Sequence, residues 1–107
     1  MEKVGGKDHS THRASSIFAH IPGLKVVVPS NPEDAKGLLI SSIEDNNPVI
    51  FFEHRWLHEI KDKVPLKYYK KKIGQPTVRI KGNAITLVSY SYMLIETLKA
   101  ANILKQH

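Results

Sequence analysis

"FAHIPGLKVVVPSNPEDAKGLLISSIEDNNPVIFFEH", residues 18–54, reads as strand, sharp turn, helix, loop and strand with hardly a residue to spare. "LKVVVP" is short, β-branched and apolar on consecutive positions, the pattern of a strand buried on both faces. "SNPEDAKGLLISSIED" then opens with a helix-start signal. Ser30 or Asn31 can cap, Pro32 suits the first turn, and Glu33 and Asp34 favour the positive end of the helix dipole. Ala35, Leu38, Leu39, Ser42 and Ile43 fall on one face at helical spacing. Gly37 costs helix stability, which predicts a close contact with the sheet. "NNP" stops the helix and "PVIFFE" is a second apolar strand. Elements joined this tightly make a βαβ unit with parallel strands and a right-handed crossover. Ligands of such sheets gather beyond the carboxyl ends of the strands, here Pro29–Ser30 and Glu53–His54.

Upstream, residues 1–8 are Gly- and Lys-rich without a period, and residues 10–20 suit a short helix ended by Pro22-Gly23. Downstream, residues 55–76 show no sustained period and predict an exposed connection. "TVRI" (77–80) and "AITLVSY" (84–90) predict two strands around a turn at Gly82-Asn83. A helix follows, with Met93, Leu94, Leu98, Ala101 and Leu104 apolar. The division expected is residues 1–54, the tail of one α/β domain; 55–76, a linker; and 77–107, the head of a second. Each sheet is cut, which predicts a fragment whose exposed strand edges need covering by partners.

The 107 residues carry 41% hydrophobic and 24% charged residues, ordinary globular values, and a net charge of +6. The absence of cysteine excludes a disulfide framework, a thiolate zinc site and a cysteine nucleophile. No apolar run approaches a membrane span, and "MEKVGGKDHS" lacks the apolar core of a signal peptide. The expectation is a soluble cytoplasmic protein, or one of the mitochondrial matrix if eukaryotic. "KYYKKK", residues 67–72, concentrates the positive charge. It interleaves aromatics with lysines as some nucleic-acid binders do, and reads equally as a solvated face or a surface for an acidic partner.

The quoted stretch resembles the thiamine-diphosphate-dependent transketolase-like enzymes. Within them it looks most like the beta subunit of the decarboxylating component of 2-oxo acid dehydrogenases of pyruvate, branched-chain and acetoin type. The resemblance rests on "HIPG", a "KVV-P" strand, the "DAKGLL" helix, "DNNPV" and a strand ending in Glu53. The later "VP---Y-----G----I-KGN-ITLVSYS" is similar to that family's passage from the pyrimidine-binding domain into the transketolase C-terminal domain. The resemblance implies oxidative decarboxylation of a 2-oxo acid, with acyl transfer to a lipoyl acyltransferase. It implies thiamine diphosphate, with magnesium held mainly by an alpha subunit, and an α2β2 assembly without nucleic acid or membrane. The family's activating glutamate lies upstream of the matching stretch, so the fragment is expected to be inactive alone.

His9 is the candidate catalytic residue. Counted back from Ile21-Pro22, it matches the transketolase spacing of an active-site histidine; the 2-oxo acid dehydrogenase spacing falls on Ser10, and His12 competes. No residue is assigned to the thiamine cofactor. His20 suits a helix C-terminus. His54 and His58 lie one helical turn apart, but Arg55 and Trp56 fill the middle and no third ligand is evident, which argues against a metal pair. In "SSIEDNNP" the last helical carbonyls meet a tight turn, where oxygen ligands suit a hard, low-charge cation. The resemblance assigns a potassium ion there to Ser42, Ile43, Asp45 and Asn47. The alternative is that Asp45 and Asn47 only cap the helix and start the strand.

Two rivals remain. The His9 spacing favours a transketolase or deoxyxylulose-phosphate synthase relative, against "DAKGLL" and "DNNPV". From another class comes a small basic module docking a polyanion through residues 67–72.

Overall fold

The computed structural model describes residues 10–105. Helix α1 (Ser10–Ala19) ends where expected: the Ile21 and Leu24 amides donate to the carbonyls of Phe18 and Ile21, and Gly23 takes φ 81° in the turn. Strand β1 (Lys25–Val27) leads through Asn31 into helix α2 (Pro32–Ile43), and strand β2 (Val49–Phe51) follows. The two strands pair in parallel with Lys25 opposite Val49, Val26 opposite Ile50 and Val27 opposite Phe51. The Phe52 amide extends the ladder by donating to the Val27 carbonyl at 2.8 Å. This is the predicted α/β unit, a parallel βαβ.

Local chemistry explains the boundaries of α2. Asn31, not Ser30, is the cap: its backbone is extended and its side chain accepts from the Asp34 amide at 2.8 Å. Pro32 sits directly after it, where a missing N–H costs nothing. Glu33 and Asp34 occupy the first turn, and the Glu44 amide closes the helix on the Ile40 carbonyl.

The core is thinner than strands buried on both faces would make it. Val27, at 5% exposure, is the buried hydrophobic residue among those described, and β2 is half-buried along its length. Phe18 of α1 meets Phe52 beyond β2 with ring centroids 6.1 Å apart.

The chain departs from expectation in three places, two of them beyond β2. Residues 55–76 are not simply an exposed connection: after a 3₁₀ turn at Arg55–Leu57, residues 65–72 lie as an extended strap along α2. The close contact at Gly37 is with this strap rather than the sheet. A Cβ there would stand 2.8 Å from both Lys71 Cγ and Tyr69 Cε2. Finally, residues 77–90 form no strand, although helix α3 (Met93–Leu104) forms as expected. A strand exists only by exchanging hydrogen bonds with a neighbour. Among the described residues β1 and β2 bond to each other and neither reaches 77–90, so Val78, Ile85 and Val88 stay 72%, 71% and 91% exposed.

Candidate functional site

The carboxyl end of β1 opens into a cleft of about 430 Å³. Val28, Pro29 and Ser30 form one wall, at the position expected of ligand sites in such sheets, and Lys71, Lys72 and Gln75 form the other. The other strand end is closed. His54 is only 7% exposed; its Nδ1 accepts from the Trp56 amide at 3.2 Å, and its ring stacks on Tyr92 at 5.3 Å and meets Trp56 at 5.4 Å. That arrangement ties the end of β2 to the start of α3, where Ser91 is buried with φ 56°. His58 instead faces Glu53 at 3.4 Å from an exposed position, so His54 and His58 do not converge on a metal.

Charge at the cleft is organised around Asp34. Its carboxylate lies 2.6 Å from Lys71 Nζ, 3.2 Å from Arg79 and 2.5 Å from Asn31 Nδ2. Lys71 also reaches Glu33 at 2.9 Å. Hydrogen bonds donated to Asp34 first and Glu33 second raise the Lys71 pKa, so this amine stays a cation and is unfit as a base. At the far end of α2, Glu44 binds Lys70 at 2.8 Å and the Tyr68 hydroxyl. Its pKa is lowered by Lys70 and then Tyr68, while those of Lys70 and Tyr68 rise for the same contacts.

Within the lysine-rich run, Lys70 and Lys71 are therefore engaged by acidic residues of their own chain. The strap's backbone is held as well. Lys36 Nζ donates to the carbonyls of Pro65, Leu66 and Lys67 at 2.5, 3.3 and 3.1 Å, and lies 5.0 Å from the Tyr69 ring centroid. Ser41 Oγ donates to the Lys71 carbonyl at 2.7 Å, and the Lys71 amide donates to the Gly37 carbonyl. The Tyr69 hydroxyl donates to the Glu33 carbonyl, and its pKa is raised by burial first and Glu33 second. Sequence reasoning missed this assembly. Its signal was present as Gly37 in mid-helix together with acidic residues at both ends of α2.

His9 lies outside the described residues; His12 falls in α1 and His20 just beyond its end, exposed. In the loop after α2, Asp45 Oδ2 binds Lys25 Nζ at 2.6 Å, and Oδ1 accepts from the Asn47 amide and side chain at 2.9 and 3.0 Å. Lys25 chiefly, then Asn47, lowers the Asp45 pKa to about 2. Ser42 Oγ donates to the Leu38 carbonyl. These side chains serve the turn and the helix. What the loop offers a cation is backbone oxygen: among the described residues no amide beyond Glu44 returns to the carbonyls of Ser42 or Ile43. Neutral carbonyls fit a monovalent ion, with Asp45 already balanced by Lys25. The described residues contain no cluster of three or more His, Cys, Asp or Glu side chains that could hold a metal ion.

A parallel βαβ with a cleft at the carboxyl end of β1 defines a small α/β unit. Residues 3–59, more than half of the chain, match the family described as transketolase, pyrimidine binding domain, and the chain belongs to that family. It is similar to the pyruvate dehydrogenase E1 component subunit beta of Staphylococcus epidermidis, with 53% identity over 91 residues, 84% of this chain and 28% of the relative. The subunit of the same description from Staphylococcus aureus is 47% identical over 91 residues, with the same coverage. The chain thus spans 28% of the length of these relatives. No solved structure matches it. Among the described residues no helix is long and apolar enough to cross a membrane.

Proposed function

We propose that the chain serves within the beta subunit of a thiamine-diphosphate-dependent 2-oxo acid dehydrogenase, with pyruvate the substrate that the relatives' description favours. The observation that carries this reading is the 53% identity over 91 residues to a pyruvate dehydrogenase E1 beta subunit. It is supported by the family match over residues 3–59. The partners are an alpha subunit, in an α2β2 assembly, and a lipoyl acyltransferase that receives the acyl group. The setting is the cytoplasm, or the mitochondrial matrix if eukaryotic. Thiamine diphosphate supplies the electron sink for decarboxylation, and its magnesium comes with the alpha subunit. The division at residues 1–54, 55–76 and 77–107 belongs to the same reading.

In this role the described residues orient rather than react. The β1–α2–β2 unit sets the wall of the cleft, and Lys71, held as a cation, fixes the strap against that wall. Potassium in the loop after α2, on backbone oxygens of Ser42, Ile43, Asp45 and Asn47, would tie the end of α2 to the start of β2. His9 is the residue proposed to handle protons or to bind the substrate carboxylate.

The test is a chimera. The matching stretch of the Staphylococcus epidermidis beta subunit is replaced by that of this chain, and the product is assembled with its alpha subunit and assayed for thiamine-dependent pyruvate decarboxylation. Retained turnover, lost on His9→Ala but kept in His12→Ala, is the expected outcome. An assembled chimera without turnover overturns the reading. Turnover indifferent to His9→Ala removes only the histidine assignment.

A further inference from the structure

We infer that residues 65–72 are a releasable latch, closed on α2 by polar contacts, that opens and shuts one wall of the cleft without unfolding the β1–α2–β2 unit. This inference is independent of the enzyme reading.

The hold of the strap differs in kind from that of the core. Most of its apolar members contribute little burial: Leu66 is 99% exposed and Tyr68 is 63% exposed, and Tyr69 alone is half-buried, packed over Gly37. What remains is hydrogen bonding from Lys36 and Ser41 to strap carbonyls, the Gly37–Lys71 backbone bond, and ion pairs of Lys70 and Lys71 with Glu44, Glu33 and Asp34. The Lys70–Glu44 and Lys71–Glu33 pairs are open to solvent, contribute little each and are screened by salt, whereas the part-buried Lys71–Asp34 pair is screened less. Contacts of this kind open locally at lower free energy than the whole domain. The strap continues directly into Lys71, Lys72 and Gln75, which form its side of the cleft facing Val28, Pro29 and Ser30. Release of the strap from α2 therefore moves that wall away.

The same residues supply the probe, because the strap holds lysines 67, 70, 71 and 72, and the exposed Lys61 and Lys63 lie just before it. Trypsin cuts after lysine only where the backbone is free. Cleavage of the full chain within 67–72 is compared with cleavage after Lys63, while circular dichroism follows the domain. In dilute salt the strap sites are cut more slowly than the Lys63 site. Raising the salt to several times physiological strength removes that protection about fivefold with the dichroism unchanged, as expected when screened pairs hold the segment. Glu44→Gln removes the charge that pairs with Lys70 and halves the protection in dilute salt only.

Equal cleavage of strap and Lys63 sites in dilute salt shows that there is no latch. Protection that ignores salt and Glu44→Gln, and falls only with the dichroism, shows that the strap unfolds with the domain. Either result overturns the inference.

Discussion

Gly37→Ala sets two opposing effects against each other at one atom. In mid-helix, alanine is favoured over glycine by about 1 kcal/mol. The added methyl would meet Lys71 Cγ and Tyr69 Cε2 at 2.8 Å and Tyr69 Cδ2 at 3.2 Å. Neither neighbour is a loose end. Lys71 is anchored through its amide to the Gly37 carbonyl and through Nζ to Glu33 and Asp34, and Tyr69 is pinned by its hydroxyl on the Glu33 carbonyl. Overpacking of such a contact costs about 1–3 kcal/mol. Apart from half-buried Tyr69 the strap is held by polar contacts, so it retreats rather than distorting α2. The expected result is a thermal midpoint for the β1–α2–β2 unit changed by less than about 1 kcal/mol equivalent, with amide exchange at Lys71 accelerated about tenfold or more. Hydrogen exchange with mass spectrometry reads the second quantity directly. Tyr69→Ala added to Gly37→Ala should restore part of the protection, because it removes two of the three close contacts. A variant that gains the full helix benefit and keeps Lys71 protected would refute the close approach of strap and helix.

Four further outcomes follow from other parts of the structure. Asp45 is held at a pKa of about 2, against roughly 3.9 for an unfolded aspartate, so its contribution is present above the higher value and lost as pH falls towards the lower one; the thermal midpoints of wild type and Asp45→Asn should converge between pH about 4 and 2, and a constant gap across that window is inconsistent with the Lys25 contact. His54→Ala removes a buried cap and two ring contacts, and urea unfolding should show a loss of about 2 kcal/mol; a loss below about 0.5 kcal/mol would mean the ring is not packed as seen. In the assembled enzyme potassium should raise the thermal midpoint more than sodium does, and Asp45→Ala should abolish the difference; equal stabilisation of both forms by potassium takes the ion away from this loop. The purified 107-residue chain alone should show no thiamine-dependent decarboxylation of pyruvate, and robust turnover would require a site other than the one proposed.

The βαβ unit was legible because its information is local. A side-chain cap, a proline at the first helical position and acidic residues in the first turn act within a few residues of one another. They placed the start of α2 at Pro32 within the ambiguity of Ser30 against Asn31. Two apolar runs separated by one helix leave parallel pairing as the compact solution, and the register of Lys25 on Val49 follows from the lengths of the two connections. The family resemblance was legible for the same reason, since it rested mainly on contiguous motifs within residues 18–54, joined by a sparser pattern in residues 64–91.

What tertiary structure alone decided lies at longer separations. Gly37 announced that something approaches the helix, but a missing side chain carries no sign of its partner, and the partner was the strap rather than the sheet. "KYYKKK" has no period, and its meaning depended on carboxylates 26 and 37 residues away, Glu44 for Lys70 and Asp34 for Lys71. Residues 77–90 have the β-branched composition of strands, yet they stay unpaired, because strand propensity becomes a strand only when a neighbouring backbone supplies hydrogen bonds. His54 lies one helical turn from His58, a spacing the sequence already argued against as a metal pair, but nothing local said what the ring does instead. Packing against Trp56 and Tyr92 made it a buried joint between the end of β2 and the start of α3, a role set by a residue 38 positions further along the chain.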